Sequence, residues 1–84
     1  MTPNRTTLTA TANTMPGTPT NRTTIQAGVS NANTIIIQDA LGGIVAELDA
    51  GDQATDFADG VLSALFRNPT IAGTDKLYIT AYQS

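Results

Sequence analysis

Threonine is concentrated in the first part of this 84-residue chain, and that concentration constrains the fold more than any other feature. Eleven of the 15 threonines lie in residues 1–34. The same segment contains Arg5 and Arg22 but no acidic residue, whereas all seven acids lie between Asp39 and Asp75. Because β-branched threonine favours extended backbone, the first third of the chain is expected to be extended.

Residues 1–20 are predicted to form an extended N-terminal arm. They contain three of the four prolines and only two sizeable apolar side chains, Leu8 and Met15. Such a segment buries too little surface by itself to offset its loss of conformational entropy. The alternation of threonine with apolar residues from Thr7 to Ala12 suits a strand, so the arm is expected to become strand-like when it lies on a partner. A disordered leader without a role is the alternative.

A short motif occurs twice in the threonine-rich segment. Asn-Arg-Thr-Thr followed by an aliphatic residue begins at Asn4 and again at Asn21. Two copies are too few for a solenoid, which needs about three repeats. Chance in a segment rich in Thr and Asn explains the motif as well as duplication does. If duplication is the origin, two similar strands are expected to bind similar grooves.

Residues 21–84 are predicted to form one small α+β domain. The expected element order is β-β-β-α-β, a small and mostly antiparallel sheet packed against one amphipathic helix. The strands are expected at residues 23–29, 33–38, 44–48 and 76–83. The second and third of these strands form a hairpin, because the five residues between them include the turn-forming pair Gly42-Gly43.

The predicted helix covers residues 52–67. Apolar side chains recur there at spacings of three and four residues, which is the stripe of an amphipathic helix. Asp52 is assigned as the N-cap, and Asn68-Pro69 ends the helix. Gly60 is unfavourable inside a helix by about 1 kcal/mol, so it is expected to be tolerated or to allow close approach to the sheet. The acids of this segment are expected to cap and solvate the helix rather than to bind a cation.

The amino-acid inventory argues against catalysis. The chain contains no His and no Cys, so it lacks an imidazole base, a thiolate nucleophile, a disulfide and the usual zinc ligands. The acids do not follow the spacing of a calcium loop, and Gly42-Gly43 lacks the remainder of a phosphate-binding loop. We therefore predict a non-enzymatic protein with no catalytic residue, no cofactor and no metal.

Charge and hydropathy narrow the class of partner. The net charge is −3, with four scattered basic residues, which argues against direct binding of nucleic acid. No apolar run approaches the about 20 residues that span a membrane, and the start shows no signal peptide. The chain is expected to be made in a host cytoplasm and to bind proteins.

The candidate contact residues lie on the arm and on one face of the predicted sheet. In the last strand, Tyr78 and Tyr82 alternate with aliphatic residues, and tyrosine is enriched at interfaces. One helix covers only one face of a sheet, so the face with Ile36 and the tyrosines is expected to be buried against other subunits. The predicted partner-binding residues are Arg5, Thr7, Leu8, Thr9, Arg22, Ile36, Tyr78 and Tyr82.

Four features of the chain, taken together, have a parallel among known proteins. They are the small size, the few charges, the threonine-rich run at residues 6–12 and the Ile35-Ile36-Ile37 strand. In composition and layout the whole chain resembles small structural proteins of bacteriophage virions, of the capsid cement or decoration type. The resemblance implies a homo-oligomer on the capsid surface that binds the major capsid protein or other virion subunits through its arm and an apolar sheet face. A neck or tail ring subunit, and a free-standing module that binds protein or carbohydrate, are the alternatives.

Overall fold

The computed structural model describes residues 2–17, 19–55 and 60–83. The predicted α+β class is confirmed, since antiparallel strands are combined with one short helix. Within these ranges the elements are, in chain order, β1 (Thr2–Leu8), β2 (Pro19–Thr20), β3 (Arg22–Ala27), β4 (Ile35–Gln38), β5 (Ile44–Leu48), β6 (Gln53–Thr55), β7 (Gly60–Val61), α1 (Leu62–Leu65) and β8 (Leu77–Gln83).

The largest sheet has four antiparallel strands in the order β1-β8-β3-β6. β8 is the last of these strands in the chain and lies inside the sheet, with Leu8 of β1 opposite Leu77 and Ile25 of β3 opposite Ile79. Apolar and polar residues alternate along the strands, so one face of the sheet is assigned to the core. The predicted alternation in β8 is confirmed, because Leu77, Ile79 and Ala81 are buried and the side chains between them are half-buried.

The predicted hairpin is confirmed as β4 and β5, which pair antiparallel with a register shift after Ile37. Its loop is held by the Asp39 carboxylate, which accepts hydrogen bonds of 2.9 Å from the backbone N–H groups of Leu41 and Gly43. Gly42 has φ +91°, a conformation that glycine adopts without steric cost. Turn chemistry in the sequence therefore fixes the length of both strands.

One hydrophobic core lies between the four-stranded sheet and the hairpin. Most of the buried apolar side chains of the two sheets belong to a single contiguous cluster, together with residues from the segments that connect them. Its members are Leu8, Met15, Ile25, Ala27, Ile35, Ile37, Leu48, Leu62, Phe66, Ile71, Leu77 and Ile79. Each sheet thus has an inner face in the core and an outer face that points away from it.

The segment predicted as an arm, residues 1–20, is extended over β1, but that strand pairs within the chain's own four-stranded sheet. Leu8 and Met15 are each only 2% exposed. Beyond β1, the Met15 N–H donates to Asn68 Oδ1 at 2.9 Å, and the Ser63 N–H donates to the Pro16 carbonyl at 3.1 Å. The boundary predicted at residue 20 therefore does not coincide with a break in the sheet or in the core.

The helix predicted for residues 52–67 is wrong for most of the residues of that segment that the structure describes, and the order β-β-β-α-β lacks several strands. The structure has β6, β7 and only the four residues of α1 in that part of the segment that it describes. Residues 56–59, including two of the acids expected to cap the helix, lie outside the described residues.

The backbone at Gly60 explains why no long helix forms. Its φ of +136° lies far from the α-helical value of about −63°, so a helix cannot continue through this residue. Asp52 does not act as a helix cap either, since its Oδ2 accepts a hydrogen bond of 3.0 Å from the Asp49 N–H in a turn. Of the apolar residues at this three- and four-residue spacing, Leu62 and Phe66 are buried in the core, and Ala54 of β6 is partly buried against it.

Candidate docking surfaces

The outer face of the four-stranded sheet brings together five of the eight predicted contact residues. Directly paired residues lie on the same face of an antiparallel sheet. Thr7 lies opposite Tyr78 and Arg5 opposite Thr80 on the β1 side of β8, and Arg22 lies opposite Tyr82 on the β3 side. Arg5, Thr7, Arg22, Tyr78 and Tyr82, which are scattered in the sequence, therefore share one surface.

Four further residues, among them Gln53 opposite Gln26, complete this surface and were not predicted as contact residues. Thr24 lies opposite Thr80, and Gln26 opposite Tyr78. Thr24, Gln26 and Thr80 were available from the sequence, because they alternate with the inward residues of strands that were themselves predicted. Gln53 was not, since it lies in β6, where a helix was expected. We call this surface the sheet face; it comprises Arg5, Thr7, Arg22, Thr24, Gln26, Gln53, Tyr78, Thr80 and Tyr82.

The sheet face is basic and partly aromatic. The Arg5 guanidinium lies over the Tyr78 ring, 4.4 Å from its centroid, which is within the range of a cation–π contact. Arg5 is exposed, whereas Tyr78 and Tyr82 are half-buried. Among the residues that the structure describes, no Asp or Glu occupies a position on this face, although the chain as a whole is acidic. The face is therefore suited to an acidic surface with an apolar component.

The repeated Asn-Arg-Thr-Thr motif occupies equivalent places on the two sides of β8. Arg5 of the first copy lies opposite Thr80, and Arg22 of the second copy lies opposite Tyr82, so the copies differ by two residues in register. A shift of two residues preserves the face on which each side chain lies. The two similar strands thus bind the two edges of one strand, and both arginines lie on the sheet face.

A second surface lies on the outer side of the hairpin and is mainly apolar. Ile36 is 42%, Val45 44% and Ile44 59% exposed. Glu47 lies opposite Ile36 and is exposed as well. We call Ile36, Ile44, Val45 and Glu47 the hairpin face. Only Ile36 was predicted as a contact residue, and its expected placement on one face with the tyrosines is wrong, because β4 and β8 belong to different sheets.

Leu8 and Thr9 do not belong to either face, and the burial of Leu8 corrects its assignment as a partner-binding residue. Leu8 is buried in the core opposite Leu77. Thr9 is half-buried at the end of β1, where its N–H donates to the Ala12 carbonyl at 3.0 Å and its Oγ1 accepts from the Ala12 N–H at 3.2 Å. Both residues therefore act within the chain, Leu8 by packing and Thr9 by closing a turn.

A cleft of about 350 Å³ lies beside β4, between Asn33–Gln38 and the segment 67–75. At its end, the Asp75 carboxylate accepts hydrogen bonds from the N–H groups of Ala32, at 2.8 Å, and Asn33, at 3.1 Å, and from Asn33 Nδ2 at 3.1 Å. The hydrogen bond from Ala32 is the main reason that the pKa of Asp75 is lowered from its usual value, against the opposing effect of desolvation. The carboxylate therefore anchors a loop.

The residues that the structure describes contain no group of three or more acidic side chains that could hold a metal ion. Over the same described ranges, no helix has the length and apolar character needed to span a membrane.

Comparison with protein-family models, curated proteins and solved structures finds no match for this chain.

Proposed function

We propose that this chain is a non-enzymatic structural protein of a bacteriophage virion, of the capsid cement or decoration type. In this role it lies on the capsid surface, binds the major capsid protein or other virion subunits, and reinforces the shell. The observation that carries the proposal is the presence of two exposed faces of different chemistry on one small domain. A protein that bridges other subunits needs at least two such contact surfaces.

The composition of the faces supports a docking role over a catalytic one. The sheet face presents threonine, tyrosine and arginine, and tyrosine and arginine are both enriched at protein interfaces. The hairpin face presents three partly exposed aliphatic side chains beside one another on a single hairpin, a pattern that marks interaction sites on soluble proteins. The chain supplies neither His nor Cys for chemistry at either face.

The structure changes the proposed mode of attachment. β1 is an end strand of the four-stranded sheet and pairs with β8 of its own chain along one edge, so residues 2–8 belong to the folded domain and do not extend from it as a separate arm. Docking in the proposed function therefore proceeds through the sheet face and the hairpin face instead of through an N-terminal arm. Many copies around a shell raise the effective concentration of each contact, so that each single contact can be weak.

A binding assay on purified virions tests the proposal. Particles are produced from the phage genome that encodes the chain, after the gene for the chain has been deleted. These particles are then titrated with the purified protein. We expect saturable binding at a fixed number of copies per particle and slower loss of DNA from heated particles. Particles that bind none of the protein, at any concentration reached, would contradict the proposal and favour a free-standing binding module.

Matched variants locate the binding surfaces in the same assay. Val45→Asp places a charge on the hairpin face and is expected to weaken binding about tenfold, which corresponds to about 1.4 kcal/mol. Val29→Asp is the control, because Val29 is 79% exposed and lies outside both faces. Arg5→Ala on the sheet face is compared with Arg67→Ala, another exposed arginine. Equal binding by all four variants would show that neither face contacts the particle.

A neck or tail ring subunit is the second candidate function. The observation that favours it is the difference in chemistry between the two faces, since rings are built from contacts between unlike surfaces of successive subunits. The copy number separates the two functions: a ring has one small, fixed number of copies per particle, whereas a decorated shell carries many.

A further inference from the structure

We propose that the sheet face of one copy binds the hairpin face of the next, so that the chains associate head to tail. The inference rests on the proposed function in treating both faces as docking surfaces, and it names the partner of the sheet face as a second copy of this chain. It is carried by the positions of the faces, their charges and their apolar content.

The positions of the faces allow both to be used at once. The inner residues of the hairpin, such as Ile37, and those of the four-stranded sheet, such as Ile79, belong to the same core. The outer faces of the two sheets therefore point away from that core on different sides of the molecule. A copy that has bound one neighbour through its sheet face still presents its hairpin face to another.

The charges favour contact between unlike faces. Arg5 is exposed on the sheet face, and no acid within residues 2–17, 19–55 and 60–83 occupies that face. Glu47 is exposed on the hairpin face, and Asp49, also exposed, follows directly after β5. Two sheet faces brought together would oppose arginine to arginine, whereas a sheet face against a hairpin face opposes arginine to glutamate. Electrostatics thus selects the head-to-tail arrangement over a symmetric dimer of sheet faces.

The apolar groups of the two faces also match. Ile36 and Val45 on the hairpin face remain 42% and 44% exposed, and burial of such side chains is the main favourable contribution to association. The half-buried Tyr78 and Tyr82 rings offer them an apolar surface whose hydroxyl groups remain able to form hydrogen bonds. Glu47 lies directly opposite Ile36 across the hairpin, so charge and apolar surface are presented together.

A contact between two unlike faces is heterologous and propagates from copy to copy. It ends when the rotation between successive copies closes a ring, and it continues as a filament when that rotation does not close. The prediction is therefore a closed oligomer of defined size or a concentration-dependent series of oligomers, in place of a dimer as the largest species.

The experiment measures oligomer size by light scattering after size exclusion and by native mass spectrometry. The wild-type chain is expected to assemble, and Arg5→Glu and Glu47→Arg are each expected to shift it to monomer, weakening the contact about tenfold or more. A mixture of the two variants in equal amounts restores opposite charges at every contact and is expected to assemble again. Arg67→Glu makes the same change of charge outside both faces and is expected to assemble as the wild type does. Circular dichroism of each variant establishes that it is folded.

Several outcomes would overturn the inference. They are a wild-type chain that stays monomeric at high concentration, a wild-type chain that stops at a dimer, and folded single variants that assemble as the wild type does. The particle-binding assay separates this failure from that of the proposed function. A monomer that binds virions refutes head-to-tail association and leaves the proposed function intact. An oligomer that binds no virions refutes the proposed function and leaves head-to-tail association intact.

Discussion

At the scale of single residues, Asp75 is the polar side chain on which local structure depends most. It is 3% exposed, and its two oxygens receive the three N–H donors of Ala32 and Asn33 described above. The neighbouring Asn31 side chain holds Lys76 by two hydrogen bonds, of 2.8 and 2.9 Å, one to the carbonyl and one from the N–H. These contacts join the loop after β3 to the residue that precedes β8.

Asp75→Asn is expected to destabilise the fold in a pH-dependent way. The pKa of Asp75 is lowered in the folded state, so its ionised form stabilises the fold fully above the unfolded pKa of about 3.9. That stabilisation is lost as the pH falls through the lower, folded pKa. The urea midpoint of the variant should therefore lie below that of the wild type at neutral pH, and the two should converge in strong acid. An equal difference at every pH would show that ionisation of Asp75 has no part in stability.

At the scale of elements, the backbone at Gly60 marks the difference between expectation and structure. The sequence predicts a helix through this residue, and strands and turns are found there instead. The φ of +136° at Gly60 and the position of Leu65 Cδ1, 3.3 Å from the place a Cβ would take, leave little room for a side chain. In the interior of a helix, the same position would favour alanine over glycine.

Gly60→Ala therefore has opposite expected effects in the two structures. Within a helix over residues 52–67 the substitution would stabilise the protein by about 1 kcal/mol. In the observed structure it forces an L-residue into a strained conformation and is expected to destabilise by about 1–3 kcal/mol. The free energy of unfolding in urea gives the sign, and Ser63→Ala, at an exposed position of α1, serves as the control.

The elements that could be predicted from the sequence are those defined by nearby residues. The hairpin follows from β-branched strands on either side of Gly42-Gly43, and the faces of β8 follow from strict alternation. The helix was mispredicted because the apolar spacing after Asp52 fits a helical stripe, and a sequence does not reveal the backbone angle at a glycine. The pairing of β1 was missed because Leu8 meets Leu77, far along the chain.

The residues of the sheet face show the same division between what nearby sequence predicts and what depends on distant strands. Arg5, Arg22 and Tyr78 were chosen for their chemistry, and alternation was sufficient to exclude them from the core. Their placement on one face depends on β1 and β3 flanking β8, which no local pattern specifies. Leu8 was assigned to a partner because residues 1–20 have few apolar side chains, and a strand needs only one of them to be anchored in a core supplied by others.

At the scale of the whole molecule, β8 determines whether the four-stranded sheet exists. It pairs with β1 on one side and with β3 on the other, and it supplies Leu77 and Ile79 to the core at 0% exposure. Without it, β1 has no strand to pair with, and β3 loses its partner along one edge. The stability of the fold is therefore concentrated in seven residues.

A chain that ends at Lys76 is accordingly expected to be unfolded. A chain that ends at Gln83 retains all of β8 and is the control, expected to be folded. Far-ultraviolet circular dichroism and the dispersion of amide resonances distinguish the two states. A native-like spectrum from the shorter chain would show that the hairpin and the remaining strands form a stable core by themselves.

The late place of β8 in the chain also bears on synthesis. Translation proceeds at about 5–20 residues per second, so β1 and β3 leave the ribosome well before the strand that joins them. During this interval both expose unpaired backbone, the condition in which apolar strands from different nascent chains aggregate. Threonine gives β1 and β3 extended backbone without the apolar surface of valine or isoleucine. The threonine content of these two strands thus makes them less prone to aggregate before β8, their common partner, has been synthesised.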